Sequence, residues 1–240
     1  MRGLIGLTLA VALAMMVLLG LGSWQLQRLN WKLGLIQHIK ERVHAPPVAL
    51  DALLARGPDV IAGAEYTHVT ITGTFQHDLE RYLYATGDDD WGWSVFTPLA
   101  QPNGPTIIIN RGFVPRQLLD RAARVAGLPM GLVTISGLVR LAPGPRPWWA
   151  PNPDPSKFSW YWPEIGAIAA SMVSRNSEPL AAFYVDADSS AGPVPPAGGA
   201  TNLDLPNRHL EYALTWFGLA ATLAVIYVVF VFRRLSGVRG

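Results

Sequence analysis

The 240-residue sequence has no cysteine, and it has little charge. Without thiols the chain can form no disulfide, no thiolate nucleophile, no iron–sulfur cluster and no cysteine-ligated metal site. Charged residues make up 15% of the chain, whereas an average soluble domain has about 25%. This deficit argues against a freely soluble enzyme and against a disordered regulator. The net charge of +2 is too small to predict nucleic acid as a partner.

Sequence motifs of the common enzyme classes are also missing. The chain contains no G-x-S-x-G, no G-x-x-x-x-G-K-[ST], no G-x-G-x-x-G and no H-E-x-x-H. His68 and His77 lack the spacing of metal ligands, and the sequence predicts surface positions for both. A periplasmic hydrolase is one hypothesis for the chain, but no nucleophile–base motif supports it. We predict no catalytic residues and a protein that is not an enzyme.

Two long apolar runs lie near the two ends of the chain. Residues 3–22 and residues 213–232 contain no charge, and each is long enough to span about 30 Å as a helix. We predict two transmembrane helices, 3–22 and 213–232, that flank an extracytoplasmic domain at 24–208. A cleaved signal peptide is the alternative for the first run, but no small-x-small cleavage site follows it. A mitochondrial presequence is disfavoured because no Arg- and Ser-rich stretch precedes the run.

Basic residues beside the second run predict the orientation. Arg233 and Arg234 follow it directly, and such residues mark the cytoplasmic side of a membrane helix. Two spans then place both termini in the cytoplasm and residues 24–208 in the periplasm of a bacterial inner membrane. Arg28 and Lys32 after the first run oppose this orientation, but long segments translocate largely regardless of charge.

The central region has the pattern of a β-rich domain. We predict an α+β, membrane-anchored fold with a mostly antiparallel sheet, because β-branched and aromatic residues alternate with polar ones. The predicted strands are 66–75, 81–85, 94–99, 106–110, 132–141 and 182–186. The predicted helices are 28–43, which continues the first span, 115–126 and 163–173. The predicted core consists of Val69, Ile71, Val95, Ile107, Ile109, Val133 and Ile135. Gly112 follows the central strand and is predicted to adopt a φ that alanine disfavours.

The second span begins with a histidine above aromatic residues. On a helix, His209, Tyr212 and Trp216 share one face at the outer membrane interface. Such a histidine can ligate a flat iron cofactor at membrane depth. The alternative is an interfacial histidine that only bonds a lipid headgroup, and a lone histidine by itself favours that alternative.

The first span continues into an aromatic and basic stripe. Trp24, Arg28, Trp31 and Lys32 recur at helical spacing. They form either an interfacial anchor or one wall of the same pocket, with cations facing acidic groups such as propionates. Small residues on both spans predict close approach of the two helices; these are Gly6, Ala10 and Ala14 on the first and Gly218, Ala221 and Ala224 on the second.

Four segments, in this order, resemble the Surfeit-locus (Surf/Shy) family of cytochrome oxidase assembly proteins. They are residues 22–32 (GSWQLQRLNWK), 92–99 (GWSVFTPL), 110–115 (NRGFVP) and 207–217 (NRHLEYALTWF). The resemblance covers nearly the whole chain, including the layout with two apolar ends. One departure is Phe113, where the family commonly has tryptophan.

The resemblance implies a role in assembling haem-copper oxidases. The protein would bind haem a and deliver it to the catalytic subunit or hold it for that subunit, with haem A synthase as a further candidate partner. It also implies His209 as the ligand of the haem iron. Around this ligand we predict that Arg28, Lys32 or Arg208 faces the propionates. Arg111 and Phe113 are candidates for partner contacts, and a structural salt bridge is the alternative for Arg111. The rival hypothesis is a membrane scaffold that stabilises the oxidase core subunit without binding haem.

Overall fold

The computed structural model describes residues 2–87, 90–172, 183–189, 194–199, 201 and 205–237. The chain forms two compact units, one of Met1–Ile39 with Leu203–Gly240 and one of Lys40–Asn202. Ala182, the predicted first residue of the last strand, and Val173, the predicted last residue of a helix, lie outside the described residues.

The first unit is built from two long helices. Helix α1 is Arg2–Val43 and helix α4 is His209–Ser236. Both are long and apolar enough to cross a membrane. The continuation of the first apolar run as a helix to residue 43 is confirmed, because residues 28–43 contain no proline and the first proline follows only at Pro46.

The second unit is mostly β-structure. Its strands are β1 (Val48–Ala49), β2 (His68–Phe75), β3 (Arg81–Thr86), β4 (Trp91–Ala100), β5 (Ile107–Pro115), β6 (Leu132–Leu141), β7 (Ser159–Trp160) and β8 (Phe183–Ala187). Its helices are α2 (Leu50–Leu54) and α3 (Ile165–Met172). Most strand pairs are antiparallel, and the parallel pairs are β1–β2, β3–β7 and β5–β8. The predicted fold class is confirmed.

The sheet closes on itself through β2. This strand pairs with β6 along most of its length and with β4 at Thr74 and Phe75. The order β2–β6–β8–β5–β4 therefore returns to β2 and forms a small barrel of described strands. Strand β1 extends β2, and β3 followed by β7 extends β4. Strands β3 and β7 thus lie outside the closed barrel, beside β4.

The barrel interior is the main hydrophobic core. Val69 and Ile71 of β2 point inward and alternate with His68, Thr70 and Thr72, which are partly or fully exposed, as expected for a strand with one buried face. Predicted core residues that are buried are Val69, Ile71, Val95, Ile107 and Ile109; Val133 and Ile135 are partly buried against the same cluster. A second cluster on the outer face of β5 joins Ile108 to Trp160 and α3.

The helix predicted at 115–126 is wrong. Strand β5 runs through Pro115, and the chain then forms two short 3₁₀ segments, Arg116–Leu118 and Arg121–Gly127. Arg124 breaks the helical geometry with φ −135° and ψ 36°. Its guanidinium is turned into the domain, where it bonds the buried carboxylate of Glu80. The tertiary ion pair thus overrides the helical propensity of this segment.

Candidate functional site

The two long helices pack as an antiparallel pair. Thr8 Oγ1 lies 2.7 Å from the Tyr227 hydroxyl, whereas the site of a Cβ on Gly22 lies 2.7 Å from the Phe217 ring. At the far end the Lys32 ammonium donates to the Pro206 carbonyl. As residue numbers increase along α1, the numbers of the residues they contact at the other end of the chain decrease. The two helices are therefore antiparallel.

The small-residue prediction for this helix contact is largely wrong. At Gly6 and Gly218 a Cβ would have no neighbour within 4 Å, and Ala10 and Ala221 are exposed. The close approach is made instead by Gly22, which is buried under Phe217. The rotation of each helix, which the sequence alone leaves open, decides which small residues face the partner.

His209 is held by a residue of the opposite helix. Its Nδ1 lies 2.7 Å from Oε1 of Gln25, and the imidazole is half-buried. An amide oxygen can only accept a hydrogen bond, so in this arrangement Nδ1 carries the proton and donates it. Nε2 of the neutral ring then keeps its lone pair, and no described residue bonds Nε2. Fixing one ring nitrogen by hydrogen bonding is how proteins orient histidines that ligate metals.

His209 and Gln25 lie at the ends of the apolar runs. Gln25 follows the run at 3–22 by three residues and His209 precedes the run at 213–232 by four, which is about 5 to 6 Å along each helix axis. The pair therefore sits where an apolar layer would give way to polar surroundings. A flat cofactor can lie in apolar surroundings at this level while its acidic groups reach the polar side.

Aromatic side chains lie beside this pair on both helices. Trp24 and Tyr212 are each 54% exposed and Trp31 is 53% exposed, whereas Trp216 is half-buried. One residue turns a helix by about 100°, so Trp24 and Trp31 lie to the same side of Gln25, and Tyr212 lies to the corresponding side of His209. Because the two helices run in opposite directions, equal angular offsets from Gln25 on one helix and from His209 on the other point to the same side of the helix pair. These rings therefore flank the His209–Gln25 level on one side.

The three predicted cations differ in their availability. Lys32 is engaged by the Pro206 carbonyl, whereas Arg208 is exposed directly before α4. Arg28 is exposed, and its guanidinium carbon lies 3.8 Å from the centre of the Trp31 ring. A guanidinium stacked on an indole keeps the edge that pairs bidentately with a carboxylate. Arg28 is thus the best placed of the three for an acidic group on the aromatic side.

The segment 110–115 has a structural role within the β domain. Arg111 and Gly112 form a bulge in β5 opposite Ser94–Phe96, and Gly112 has φ +107°, which confirms the predicted special conformation. The Asn110 amide donates to Asp186, and its carbonyl accepts from the Gly112 N–H. The ring of Phe113 lies against Gly92.

Arg111 belongs to a buried cluster around Glu80. The Glu80 side chain is 2% exposed and faces three cationic or basic groups: Arg124, which bonds it, and Arg111 and His77 at 3.5 Å each. Burial and the neighbouring Arg124 lower the pKa of Arg111 to about 10, although Glu80 opposes this shift. His77 is 11% exposed, so the predicted surface position is wrong for it. Within the described residues Arg111 thus pairs with Glu80, which is the structural salt bridge given above as the alternative to a partner contact.

No group of three or more His, Asp or Glu side chains in the described part of the chain is arranged to hold a metal ion. The site on the helix pair instead offers one nitrogen ligand from His209, aromatic side chains beside it and the exposed cation of Arg28. This donor set fits a cofactor that brings its own equatorial ligands, as haem does. Sequence reasoning missed Gln25, although it lies within the segment 22–32 that carries the family resemblance, because an amide is not among the usual ligands of haem iron.

Comparison with known proteins gives a consistent result. A sequence profile of the SURF1 family matches residues 12–221. Surfeit locus protein 1 of Rattus norvegicus is 34% identical over 236 residues, which cover 91% of this chain and 74% of the rat protein. The Homo sapiens protein of that name is 33% identical and covers 91% and 75% of the two chains. A SURF1-like protein of Monosiga brevicollis is 32% identical over 98% of this chain and 90% of its own.

Proposed function

Because the chain belongs to the SURF1 family, we propose that it is a membrane-anchored assembly factor for haem-copper oxidase that binds haem a through His209. The single observation that carries the haem proposal is the hydrogen bond from His209 Nδ1 to Gln25 across the helix pair. It leaves Nε2 as a free, oriented ligand beside exposed aromatic rings.

Each residue around His209 has its own proposed role in binding haem. Gln25 accepts a hydrogen bond from Nδ1 and so fixes the ring orientation and the tautomer in which Nε2 can ligate. Trp24, Trp31 and Tyr212 supply apolar area on the side of the pair where Arg28 is exposed. Arg28 pairs a propionate, because its guanidinium has no other anionic partner among the described residues. Haem a, when bound, would supply an iron to which Nε2 of His209 could bind.

The experiment is an absorption spectrum of the full chain purified from cells that make haem a. We expect a six- or five-coordinate haem spectrum with the wild type and its loss with His209→Ala, while the protein still accumulates in the membrane. Gln25→Leu removes the acceptor and should reduce haem occupancy without abolishing it. Arg28→Ala should weaken binding while the ligand field stays unchanged. His44→Ala is the matched control, because among the described residues this exposed histidine bonds only the Lys40 carbonyl.

An unchanged spectrum for His209→Ala would contradict the ligand assignment. Wild-type protein that carries no haem would favour the rival scaffold, which stabilises the oxidase core subunit and needs no ligand on this helix. The catalytic subunit of the oxidase is the proposed partner in both cases, with haem A synthase as the proposed partner for haem supply.

We propose that both termini face the cytoplasm and that the β domain lies in the periplasm of a bacterial inner membrane. Arg233 and Arg234 at the end of α4 support this orientation. The absence of cysteine makes the test direct. Single cysteines at Ser156 and Ser236 should be labelled by a membrane-impermeant maleimide in intact spheroplasts only at Ser156. Labelling at Ser236 alone would reverse the topology.

A further inference from the structure

The β3–β4 hairpin and its edge carry a cluster of aromatic rings, most of them exposed, that the proposed haem site does not use. Tyr84 lies directly opposite Trp93 and Thr86 opposite Trp91 in the antiparallel register. Because alternate residues of a strand share a face, Tyr84, Trp91 and Trp93 project to the same side of the hairpin. Tyr161, which follows β7, joins them from the neighbouring edge. We call Tyr84, Trp91, Trp93 and Tyr161 the aromatic platform.

The rings of the platform pack against one another. Ring centres are 6.0 Å apart for Tyr84 with Trp91 and with Tyr161, and 6.1 Å apart for Trp93 with Tyr84 and with Tyr161. This spacing leaves no room for a cation between facing rings, so the cluster is not a cage for a quaternary ammonium group. The platform instead presents ring faces and edges outward, with Tyr84, Trp91 and Tyr161 each about 40% exposed.

Hydrogen-bond donors of the platform point to a polar component of its ligand. The phenol groups of Tyr84 and Tyr161 and the indole N–H groups of Trp91 and Trp93 have no hydrogen-bond partner among the described residues. Exposed aromatic groups that combine apolar area with such donors are typical of sites that bind extended polypeptide backbone.

A pocket of about 90 Å³ opens at one end of the platform. Six residues line it: Tyr82, Trp93, Leu119, Lys157, Ser159 and Tyr161. This volume accepts one apolar side chain of a ligand. Lys157 lies in the pocket lining, but its ammonium is already paired with Asp154 at 2.9 Å, so the pocket offers little net charge.

An exposed cation lies at the other end. The Arg116 guanidinium is exposed, lies 5.2 Å from the centre of the Trp91 ring and has no hydrogen bond or ion pair among the described residues. Trp91 and Trp93 are two residues apart on β4, which is about 7 Å along an extended strand. Arg116 and the pocket thus lie against neighbouring tryptophans on the same face of β4, and we match their spacing to residues i and i+2 of an extended peptide.

We propose that the aromatic platform binds an extended segment of a partner protein that inserts an apolar side chain into the pocket and places a carboxylate, two residues away, against Arg116. The concave pocket favours a polypeptide over a bilayer surface, because headgroups in a plane do not fill a cavity of side-chain size. The exposed Arg116 guanidinium selects an acidic residue by charge complementarity. This surface is separate from His209, so the inference does not depend on haem binding.

The test is selection of short random peptides against the full chain in lipid nanodiscs, followed by affinity measurement with synthetic peptides. We expect selected peptides to share an apolar residue, any residue and then Asp or Glu. Tyr161→Ala should weaken their binding at least about tenfold, as for a central aromatic contact. Trp148→Ala is the matched control, because this tryptophan is 93% exposed outside the platform and its loss should leave affinity unchanged.

A charge swap identifies the contact even where Tyr161→Ala fails to fold. Arg116→Glu changes an exposed residue and should weaken the acidic peptides at least about tenfold, while peptides with lysine at that position should bind the variant more tightly than the wild type. Each of three results would overturn the proposal: no peptide selected, equal binding to Tyr161→Ala and Trp148→Ala, or displacement of peptides by phosphatidylcholine–phosphatidylglycerol vesicles. The haem spectrum should be the same in Arg116→Glu and wild type, so this inference and the proposed function fail separately.

Discussion

Gly112 is the position where the structure makes the sharpest stability prediction. Its φ of +107° lies where side chains other than hydrogen are disfavoured, and a Cβ built on it would lie 1.8 Å from the Ala197 carbonyl oxygen. The adjacent Phe113 exchanges two backbone hydrogen bonds of 2.9 Å with Ala197. Gly112→Ala therefore strains the backbone and also pushes apart two segments that pair beside the bulge.

The magnitude follows from these two costs. The positive φ costs roughly 1–2 kcal/mol, and forcing a methyl group into a filled space costs roughly 1–3 kcal/mol. The free energy of unfolding should fall by about 2–5 kcal/mol in total. For a domain of this size each kcal/mol lowers the midpoint by roughly 2–4 °C.

Gly131→Ala separates the two costs. Gly131 has φ +83°, but nothing lies within 4 Å of the position that a Cβ would take there, so only the backbone cost of roughly 1–2 kcal/mol applies. Thermal unfolding of the full chain in detergent, followed by tryptophan fluorescence and by limited proteolysis, measures both variants. If Gly112→Ala is no less stable than Gly131→Ala, the contact with Ala197 has no energetic weight and the reasoning fails.

Three further predictions follow from contacts described above. Glu80→Gln leaves the buried guanidinium groups of Arg111 and Arg124 without a counter-charge, and it should lower the free energy of chemical unfolding by about 3–5 kcal/mol. The control Lys157→Gln breaks an exposed ion pair and should change that free energy by no more than about 1 kcal/mol. Equal effects of the two substitutions would contradict the assigned burial. Burial and Asp186 raise the pKa of Tyr184, so the folded state binds more protons than the unfolded state in alkaline solution, and stability falls as pH rises above about 10. Tyr184→Phe should make this loss of stability with pH shallower, as measured by unfolding followed by circular dichroism. An unchanged dependence on pH would refute Tyr184 as the cause. Gly22→Leu should separate the helices and reduce disulfide formation between cysteines placed at Thr8 and Tyr227, whereas Gly20→Leu, which has open space around it, should leave cross-linking intact.

Local patterns were enough to predict the β domain and both long helices. Strand β2 shows strict alternation, and the Ile107–Ile109 segment is apolar at every position because one face meets the barrel core and the other meets α3. Strands β1 and β7 have two residues each. So short a segment has no readable period, and only its pairing with β2 or β3 makes it a strand.

The site residues were harder to predict because they depend on how two helices face each other. The apolar runs are uncharged all round, so periodicity gives no rotation angle for either helix. The contact of Gly22 with Phe217 and the bond of Gln25 with His209 fix that angle. Residue chemistry singled out His209 and its aromatic neighbours but by itself favoured an interfacial histidine. The family resemblance led to the ligand hypothesis, and neither predicted the Gln25 amide that bonds the ring.

The bond between Gln25 and His209 joins residues 184 positions apart, one on the first long helix and one on the last. During translation the amide emerges early, and the imidazole emerges only after the whole β domain has been made. The oriented histidine can form only once α4 has been inserted beside α1. A chain interrupted anywhere in between carries Trp24, Arg28 and Trp31 but lacks His209, the proposed haem ligand. If the proposed haem binding holds, it would thus report that synthesis and insertion of the chain are finished.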